Sequence, residues 1–252
     1  MKIPILLPNI FNYPFTYKSS NLNLKLGDYV EVPFGKNKKI GIVWDEFEKN
    51  INKKYSIKNV IRKLEIPSLK LETINFFKWF SEYNMVPIGM SLKLHLLSNE
   101  AVEIQNNEEL KKYKIYNKTN EIKLSKEQLT SVKAIIENDN KFRVHVVQGI
   151  TGSGKTIVYF NSLKKKINKG FQGLILLPEI GLTGEFQRKF KEFFGFDAAI
   201  WHSSITKKNK KIIWNGIATG KIKVLIGARS SLFLPFFNLG IIIVDEEHDQ
   251  SY

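Results

Sequence analysis

Cysteine is absent from the 252 residues of this chain. The sequence can therefore form neither a disulfide framework nor a metal site built on thiolates. Histidine is scarce too, and its four copies are too scattered to indicate a metal cluster: His95, His145, His202 and His248.

Long apolar runs are also missing, since no stretch approaches the roughly 18 residues that a membrane-spanning helix needs. The apolar N-terminus is interrupted by Pro4 and Pro8 and lacks the small-residue cleavage site of a signal peptide. We therefore expect a cytoplasmic protein without a membrane partner.

Acidic residues are outnumbered, with 24 Asp and Glu against 39 Lys and Arg and a formal net charge of +15. The surplus is spread over both halves of the chain and suggests a polyanionic partner such as nucleic acid. Abundant Lys, Asn and Ile leave open that the charge reflects a compositionally biased genome. Apolar residues make up 43%, which is ample for a packed core in one large or two smaller domains.

The first 60 residues have the patterns of β structure. Alternating polar and apolar residues over 28–34, a turn over 35–39 and an apolar run over 40–44 predict a hairpin in a small barrel-like module. From 69 to 98 the periodicity becomes helical. The periodic residues are Leu71, Ile74, Phe77, Trp79, Phe80, Leu92, Leu94, Leu96 and Leu97, and we expect the aromatic ones to form core rather than a base-stacking platform.

The polar stretch 101–120 predicts a linker between a domain over 1–100 and another over 121–252. After it, predicted helices alternate with short apolar strands, which indicates an α/β domain with a parallel sheet covered on both faces. The predicted strands span 143–148, 173–177, 198–201, 224–227 and 241–244. The predicted helices span 125–137 and 155–170, pass through 190–193, and span 212–218.

A phosphate-binding loop is predicted between the apolar run 143–148 and the following helix. Gly149 and Gly154 let backbone N–H groups converge on an anion, while Lys155 reaches the β and γ phosphates of a nucleotide. The Thr156 hydroxyl binds Mg²⁺. The rest of the loop is Ile150, Thr151, Gly152 and Ser153. The alternative is a flexible glycine turn with a solvated lysine.

A carboxylate pair follows the apolar run 241–244. Asp245 can hold the magnesium ion from the sheet edge, and Glu246 can orient and deprotonate the attacking water. Together with Lys155, these are the expected catalytic residues, and ATP with Mg²⁺ is the expected cofactor. An acidic first turn of a helix, favoured by the helix dipole, is the alternative interpretation.

Several segments resemble a known family. Residues 245–248, DEEH, form a DEAH-like box of the kind found in superfamily 2 helicases. Three further segments are similar to primosomal protein N′, the PriA family of replication-restart helicases: LLPEIGLT at 176–183, WHSS at 201–204 and IGARSSLFLP at 226–235. The segments FNY at 11–13, VPFGK at 32–36 and IGIV at 40–43 resemble that family's 3′-end DNA-binding domain.

The resemblance implies a RecA-like lobe preceded by a small, mainly β DNA-binding domain with a helical extension. It also implies a protein that recognises stalled forks and D-loops through a DNA 3′ end, hydrolyses ATP and translocates 3′ to 5′. Primosome proteins, single-strand binding protein and the replicative helicase are the partners it implies.

By position in the family, the pocket for the terminal nucleotide involves Phe11, Asn12, Gly35 and Lys58. Phe11 would supply a stacking face, Gly35 close backbone approach and Lys58 a phosphate-directed charge. The family usually has Asp where this chain has Asn12, so we expect a weaker hydrogen bond to a terminal hydroxyl. Phe11 as a core residue and Gly35 as a hairpin-turn residue remain alternatives.

Three residues of the second half also take roles from the resemblance. Gln128 lies where related helicases approach the adenine, although with Ser125 it also fits a capping box. Arg229 is the candidate for a phosphate or carboxylate contact, and a surface arginine is the alternative. His248 would relay between the ATP site and DNA, whereas Trp201 and His202 are expected to be packing and loop residues.

Members of the family continue with a second RecA-like lobe carrying an arginine finger, a zinc-binding cysteine-rich insertion and a C-terminal domain. None of these lies within the 252 residues, so we expect this polypeptide to bind DNA and ATP, to turn ATP over slowly and not to unwind DNA. Zinc is expected only in that further part. Another P-loop ATPase, such as a small-molecule kinase or a transporter, and a non-catalytic 3′-end-binding module remain alternatives. The transporter signature LSGGQ is absent between Lys155 and Asp245.

Overall fold

A computed structural model describes residues 1–47, 56–96, 108–113, 123–137, 141–150, 152–178 and 184–248. The chain divides into two compact units that interleave along the sequence. The first unit comprises Met1–Asn107, Ile205–Thr219 and Leu232–Phe237, and the second comprises Glu108–Ser204, Gly220–Ser231 and Asn238–Tyr252. The domain limits taken from the sequence remain a prediction. Most of the predicted linker lies outside the described residues, and Glu108–Tyr113 forms a 3-10 helix.

The first unit contains a five-stranded antiparallel sheet with the order β2-β1-β4-β3-β5. Its strands are β1 Lys2–Leu6, β2 Phe15–Lys18, β3 Tyr29–Phe34, β4 Asn37–Val43 and β5 Arg62–Lys63. Lys18, at the end of one edge strand, forms a bridge with Asn59, just before the other edge strand. This bridge gives the sheet the barrel-like closure that the sequence predicts. Its core includes Ile3, Ile5, Leu7, Tyr17, Val30, Val32, Val43 and Val60.

The hairpin between β3 and β4 is tighter than predicted. We predicted a turn over 35–39, but Phe34 pairs with Asn37, so only Gly35 and Lys36 form the turn. Gly35 has a φ of 60°, which suits a two-residue hairpin turn. Lys38 and Lys39, which follow the turn, belong to β4. Charged side chains are tolerated at this end of the strand because it extends into solvent.

Three helices complete the first unit: α1 Leu71–Tyr83, α2 Ile88–Leu96 and α6 Lys207–Ala218. Phe77 is buried as expected, and Ile74 is buried as well. The prediction that Trp79 is a core residue is wrong, because it is 54% exposed. At 100° per residue, Trp79 lies on the opposite side of α1 from the buried residues Ile74, Phe77 and Ser81.

His95 lies at the centre of a fully buried polar cluster in the first unit. Its Nδ1 is 2.6 Å from the carbonyl oxygen of Phe233, and its Nε2 is 2.8 Å from the Tyr29 hydroxyl. A carbonyl only accepts, so Nδ1 carries the proton and Nε2 accepts from Tyr29. The indole of Trp214 in turn donates to the His95 carbonyl oxygen at 2.9 Å. Burial lowers the pKa of His95 to about 4, and the imidazole is therefore neutral.

The second unit contains a four-stranded parallel sheet with the order β7-β8-β6-β9, which confirms the α/β class. The strands are β6 Gln172–Leu176, β7 Ala199–Trp201, β8 Val224–Gly227 and β9 Leu239–Val244. The helices are α3 Lys126–Ile136, α4 Lys155–Asn168 and α5 Gly184–Phe194. An aromatic core lies between α4, α5 and the sheet, formed by Tyr159, Phe160, Phe190, Phe193, Phe194 and Phe196 together with aliphatic residues.

The prediction of a strand over 143–148 is wrong, because the structure describes these residues without a strand. Val144 and Val146 are 77% and 87% exposed. Apolar alternation is compatible with a strand, but only hydrogen bonding to a neighbour makes one. Among the described strands β9 is one of the two edge strands, and its Ile242 and Val244 remain 46% and 47% exposed.

Candidate functional site

The carboxyl ends of the four parallel strands meet at one edge of the sheet in the second unit. Leu176 pairs with both Val244 and Gly227, and Gly227 also pairs with Trp201. The loops that leave this edge carry Asp245 and Arg229. Ligands of open parallel α/β sheets bind at this edge. Arg229 begins a 3-10 helix and is exposed, so its anion contact remains a prediction.

The glycines of the phosphate loop are held in conformations that other residues rarely adopt. Gly152 and Gly154 have φ values of 81° and 82°. A Cβ on Gly149 would lie 2.5 Å from the hydroxyl oxygen of Ser153. Helix α4 begins immediately after Gly154, and the N–H groups of its first residues have no acceptor within the helix. Thr151 lies outside the described residues, and Ile150 is 83% exposed.

Lys155 turns back onto its own loop. Its ammonium nitrogen donates to the carbonyl oxygens of Gly149 at 2.8 Å and Ile150 at 3.3 Å. Phosphate oxygens carry full negative charge and are stronger acceptors than amide carbonyls. The Lys155 ammonium group therefore lies within the loop, where it can exchange its bonds to the two carbonyl oxygens for bonds to a phosphate.

Tyr159 joins the two predicted magnesium ligands. Its hydroxyl donates to Oδ2 of Asp245 at 2.7 Å and is hydrogen-bonded to the side chain of Thr156. Burial raises the pKa of Tyr159 far above its usual value, and the negative charge of Asp245 acts in the same direction. The structure thus brings the Thr156 hydroxyl and the Asp245 carboxylate to the same phenol hydroxyl.

Oxygen ligands of this kind are those that Mg²⁺ prefers. Within the described part of the chain, no group of three or more His, Cys, Asp or Glu side chains could hold a metal. A magnesium ion at Thr156 and Asp245 would therefore complete its coordination with nucleotide phosphates and water. The residues fit an ion that arrives with its nucleotide.

The DEAH-like box follows β9 directly. The backbone N–H of Asp245 donates to the Leu176 carbonyl at 3.1 Å, which extends the sheet ladder by one residue. Glu246 has a φ of 54°, in the left-handed region that is unfavourable for a side chain. Its carboxylate is exposed and lies 3.4 Å from Nε2 of His248. The roles of Glu246 toward water and of His248 as a relay remain predictions.

Gln128 connects α3 to the phosphate loop. Its side chain accepts from the Ser125 backbone while its own N–H donates to the Ser125 hydroxyl, so the predicted capping box is confirmed. The Gln128 amide nitrogen also donates to the Ser153 carbonyl oxygen at 3.2 Å. The adenine contact of Gln128 remains a prediction.

A second group of predicted residues lies in the first unit, around a cluster of aromatic rings. Phe11 is 38% exposed, and its ring centroid lies 5.4 Å from Tyr13 and 5.6 Å from Phe15. Phe15 in turn lies 5.2 Å from Phe34, the residue before Gly35. The ammonium group of Lys39 is 4.8 Å from the Phe34 ring centroid. Ring contacts through Phe15 therefore link Phe11 to Phe34, the neighbour of Gly35. Phe15 and Lys39 also belong to this cluster, although they lie outside the segments FNY and VPFGK.

Asn12 and Gly35 have observable structural roles. The Asn12 side-chain oxygen accepts from the backbone N–H of Ile88, the first residue of α2, at 3.1 Å. Asn12 therefore caps that helix. A Cβ on Gly35 would meet nothing within 4 Å, so the turn is open to a ligand on that side. Gly35 is a hairpin-turn residue, as one alternative held, and close approach to DNA stays a prediction.

Lys58 lies further along the same sheet. It is exposed, and its carbonyl oxygen accepts from the Lys18 backbone at 2.9 Å. Lys18 ends β2, three residues after Phe15, which places Lys58 about 10 Å along the strand from the aromatic cluster. The long Lys58 side chain can extend over part of the distance to the aromatic cluster. It could therefore contact a phosphate of a DNA strand whose end lies at the cluster.

Sequence patterns could have indicated Tyr159, because it follows Thr156 by three residues and therefore shares its face of α4. Nothing in the sequence alone indicates its bond to Asp245.

The described helices include none long and apolar enough to cross a membrane.

Comparison with known proteins identifies a family for each of two parts of the chain. Residues 3–96 match the family model of the PriA 3′ DNA-binding domain, and residues 125–252 match the model of DEAD/DEAH box helicases. The chain is 42% identical over 249 residues to a protein of Rickettsia conorii named replication restart protein PriA, covering 98% of this chain and 37% of that protein.

Proteins with the same name from two other bacteria match a shorter part of the chain. The Bacillus subtilis protein is 39% identical over 141 residues, which is 55% of this chain and 18% of that protein. The Haemophilus influenzae protein is 38% identical over 138 residues, 55% of this chain and 19% of that protein. The chain thus spans just over a third of the length of the Rickettsia relative that matches nearly all of it.

Proposed function

This chain belongs to the PriA family of DEAD/DEAH box helicases, and from that membership we propose that it is the nucleotide-binding and DNA-end-binding part of an ATP-dependent 3′ to 5′ DNA helicase. The whole protein would recognise stalled forks and D-loops and restart replication through primosome assembly. Its partners would be primosome proteins, single-strand binding protein and the replicative helicase. A DNA substrate of this kind would place it in the cytoplasm.

The meeting of Thr156 and Asp245 at the Tyr159 hydroxyl carries the nucleotide half of the proposal. Lys155 lies at the start of the same helix and would leave its carbonyl acceptors for the β and γ phosphates. ATP with Mg²⁺, when bound, supplies the electrophilic phosphorus of the hydrolysis reaction. Glu246 would orient the attacking water, and Asp245, held in one orientation by the Tyr159 hydroxyl, would be a ligand of the metal ion.

The exposed ring of Phe11 supports the DNA half. A terminal base stacks on this ring, Gly35 permits close approach of the terminal sugar, and Lys58 attracts a phosphate nearby. The Asn12 amide oxygen is engaged by α2, so its amide nitrogen is the group directed to the terminal hydroxyl.

Binding of the complete chain to two single-stranded oligonucleotides tests the proposal, one ending in a 3′ hydroxyl and one in a 3′ phosphate. We expect the hydroxyl form to bind several-fold more tightly, and Phe11→Ala to remove that preference. Lys155→Ala should abolish Mg-ATP binding while leaving the end preference unchanged.

The competing functions predict different results. A P-loop ATPase of another class would bind Mg-ATP with no preference between the two DNA ends. A non-catalytic end-binding module would keep the end preference and bind no Mg-ATP. Either outcome would contradict the proposal.

A further inference from the structure

The loop that carries Phe11 and Asn12 is attached to the first turn of α2. The backbone N–H of Ile88 donates to the Asn12 side-chain oxygen at 3.1 Å, and that of Gly89 donates to the Phe11 carbonyl oxygen at 3.3 Å. Both N–H groups belong to the start of the helix, where the helix itself offers no acceptor. The two residues that would meet a DNA end are therefore bonded to one helix terminus.

Asn9 fixes the same loop from within. Its side-chain oxygen accepts from the backbone N–H of Phe11 at 2.9 Å, two residues further along the chain. This arrangement is an Asx turn, in which an asparagine side chain takes the place of a backbone carbonyl. The bond sets the path of the chain from Asn9 to Phe11, and with it the position of the Phe11 ring.

Gly89 lies so close to this turn that a side chain does not fit. A Cβ at position 89 would be 2.6 Å from the Asn9 side-chain oxygen, 2.7 Å from the Asn9 carbonyl oxygen and 2.9 Å from the Leu7 carbonyl oxygen. Two of these oxygens belong to the backbone, and the third is held by its bond to Phe11. A side chain at position 89 would therefore separate the loop from α2.

The opposite end of α2 is anchored as well. The ring of His95, in the last turn, is hydrogen-bonded to Phe233 and Tyr29. The His95 carbonyl oxygen accepts from the Trp214 indole. Helix α2 is therefore a fixed base within the first unit. When the contact between helix and loop is lengthened, the loop is the part that moves.

We propose that Asn9 and Gly89 are positioning residues of the DNA 3′-end site. They act through Phe11 and Asn12, which they hold where a terminal base and a terminal hydroxyl need them, and they thereby set the preference for a 3′ hydroxyl. Neither residue belongs to the segments FNY, VPFGK and IGIV. The inference rests on the proposed function, because it takes the end site as given.

The size of the expected displacement supports this role. Ordinary van der Waals contact begins at 3.4 Å, whereas a Cβ at position 89 would lie 2.7 Å from the Asn9 carbonyl oxygen. The difference of about 0.7 Å exceeds the roughly 0.5 Å within which recognising groups must be held. A single methyl group at this position is therefore enough to misplace the loop.

Gly89→Ala in the complete chain tests the proposal on the same two oligonucleotides, one ending in a 3′ hydroxyl and one in a 3′ phosphate. We expect the affinity for the hydroxyl form to fall about fivefold, the effect of losing one hydrogen bond, so that the ratio of the two affinities falls toward one. Mg-ATP binding, which belongs to the other unit, should be unchanged.

Asn9→Ala and Asn9→Ser form a second pair, which does not depend on how well the protein tolerates Gly89→Ala. The two variants differ by one hydroxyl, which can accept from the Phe11 N–H as the Asn9 side chain does. We expect the alanine variant to lose the hydroxyl preference and the serine variant to retain most of it.

Gly27→Ala controls for destabilisation of the same unit. Gly27 has a φ of 84°, and a Cβ there would lie 2.2 Å from the Leu69 carbonyl oxygen, so the substitution lowers stability away from the loop. This variant should keep the full hydroxyl preference at temperatures where it is folded. The fluorescence of buried Trp214 reports folding of every variant.

Three results would overturn the proposal. The first is a folded Gly89→Ala variant that keeps the full preference. The second is the same preference in Asn9→Ala and Asn9→Ser, which would show that the side-chain oxygen is not responsible. The third is an equal loss in Gly27→Ala, which would assign the effect to destabilisation. Absence of the preference in the unchanged chain is instead the failure of the proposed function, so the two failures are distinguishable.

Discussion

The Tyr159 hydroxyl donates a 2.7 Å hydrogen bond to Asp245, a residue 86 positions further along the chain. The bond connects the helix that begins at the phosphate loop with the residue that follows β9, an edge strand of the described parallel sheet. The same hydroxyl contacts Thr156. The predicted phosphate loop and the predicted metal ligand Asp245 are therefore linked through a single buried phenol.

Tyr159→Phe should weaken the magnesium-dependent part of nucleotide binding several-fold, because Asp245 loses the group that orients it. Nucleotide binding without magnesium should hardly change. Stability should fall by about 1 kcal/mol, the usual net value of one hydrogen bond. Calorimetric titration of ATP with and without Mg²⁺ measures both effects.

Tyr17→Phe provides the matched control, since it removes a tyrosine bond to the Pro33 carbonyl in the other unit. It should lower stability by a comparable amount without any magnesium effect. Equal magnesium dependence in the two variants would contradict the positioning role of Tyr159.

Gly154→Ala and Gly170→Ala should each destabilise the protein by about 1 kcal/mol, because both glycines have left-handed φ values, 82° and 89°. Only the Gly154 variant should also weaken nucleotide binding. A Cβ there would lie 2.5 Å from the Gln128 amide nitrogen, whereas at Gly170 it meets nothing within 4 Å. Thermal unfolding and ATP titration of the pair separate strain from displacement of Gln128.

Stability of the first unit should depend on pH through His95. Its pKa is lowered from 6.5 to about 4 by burial, so protons bind the unfolded chain more readily than the folded one between these values. The stabilisation is complete above pH 6.5 and is lost as the pH falls toward 4. The loss amounts to about 3 kcal/mol by linkage.

Urea unfolding followed by tryptophan fluorescence at several pH values checks this expectation. His95→Asn should flatten the dependence between pH 4 and 6.5, whatever its effect on overall stability. The buried carboxylate of Asp28 acts in a different window. Burial alone would raise its pKa, but hydrogen bonds from Lys63 and Ser68 outweigh this and hold the pKa below 3.8. An unchanged slope in the Asn variant would contradict the assignment to His95.

Asn12→Asp should leave the cap on α2 intact, since a carboxylate oxygen can accept from the Ile88 N–H. The second carboxylate oxygen would accept a charge-assisted hydrogen bond from a terminal hydroxyl, to which the Asn12 amide nitrogen can only donate, so the preference for a 3′ hydroxyl over a 3′ phosphate should increase. Asn12→Ala should cost about 1 kcal/mol of stability through loss of the cap. Oligonucleotide binding and thermal unfolding of both variants separate the two roles, and a reduced preference in the Asp variant would be the contrary result.

Local patterns predicted much of the second unit. The strand over 224–227 was predicted to the residue, because a continuous apolar run bounded by glycine admits few other structures. The Ser125 capping box and the start of α4 after Gly154 were likewise predictable, since both depend on neighbouring residues.

Long-range relationships were not predictable in the same way. The bond between Tyr159 and Asp245 depends on how a helix packs against a sheet, which no local pattern encodes. The strand predicted over 143–148 failed because Val144 and Val146 have the right alternation without a described pairing partner. Trp79 failed as a core residue because its hydrophobicity alone does not say which face of α1 is covered.

The burial of Trp214 and Phe233 beside His95 has a consequence for synthesis on the ribosome. The sheet that begins at Lys2 emerges early, but the side chains that complete its packing are translated more than a hundred residues later. A nascent chain stalled at residue 107 would expose the apolar surroundings of His95. The first unit therefore cannot complete its folding until α6 and the segment Leu232–Phe237 have been synthesised. Until then its exposed apolar surface needs protection from aggregation.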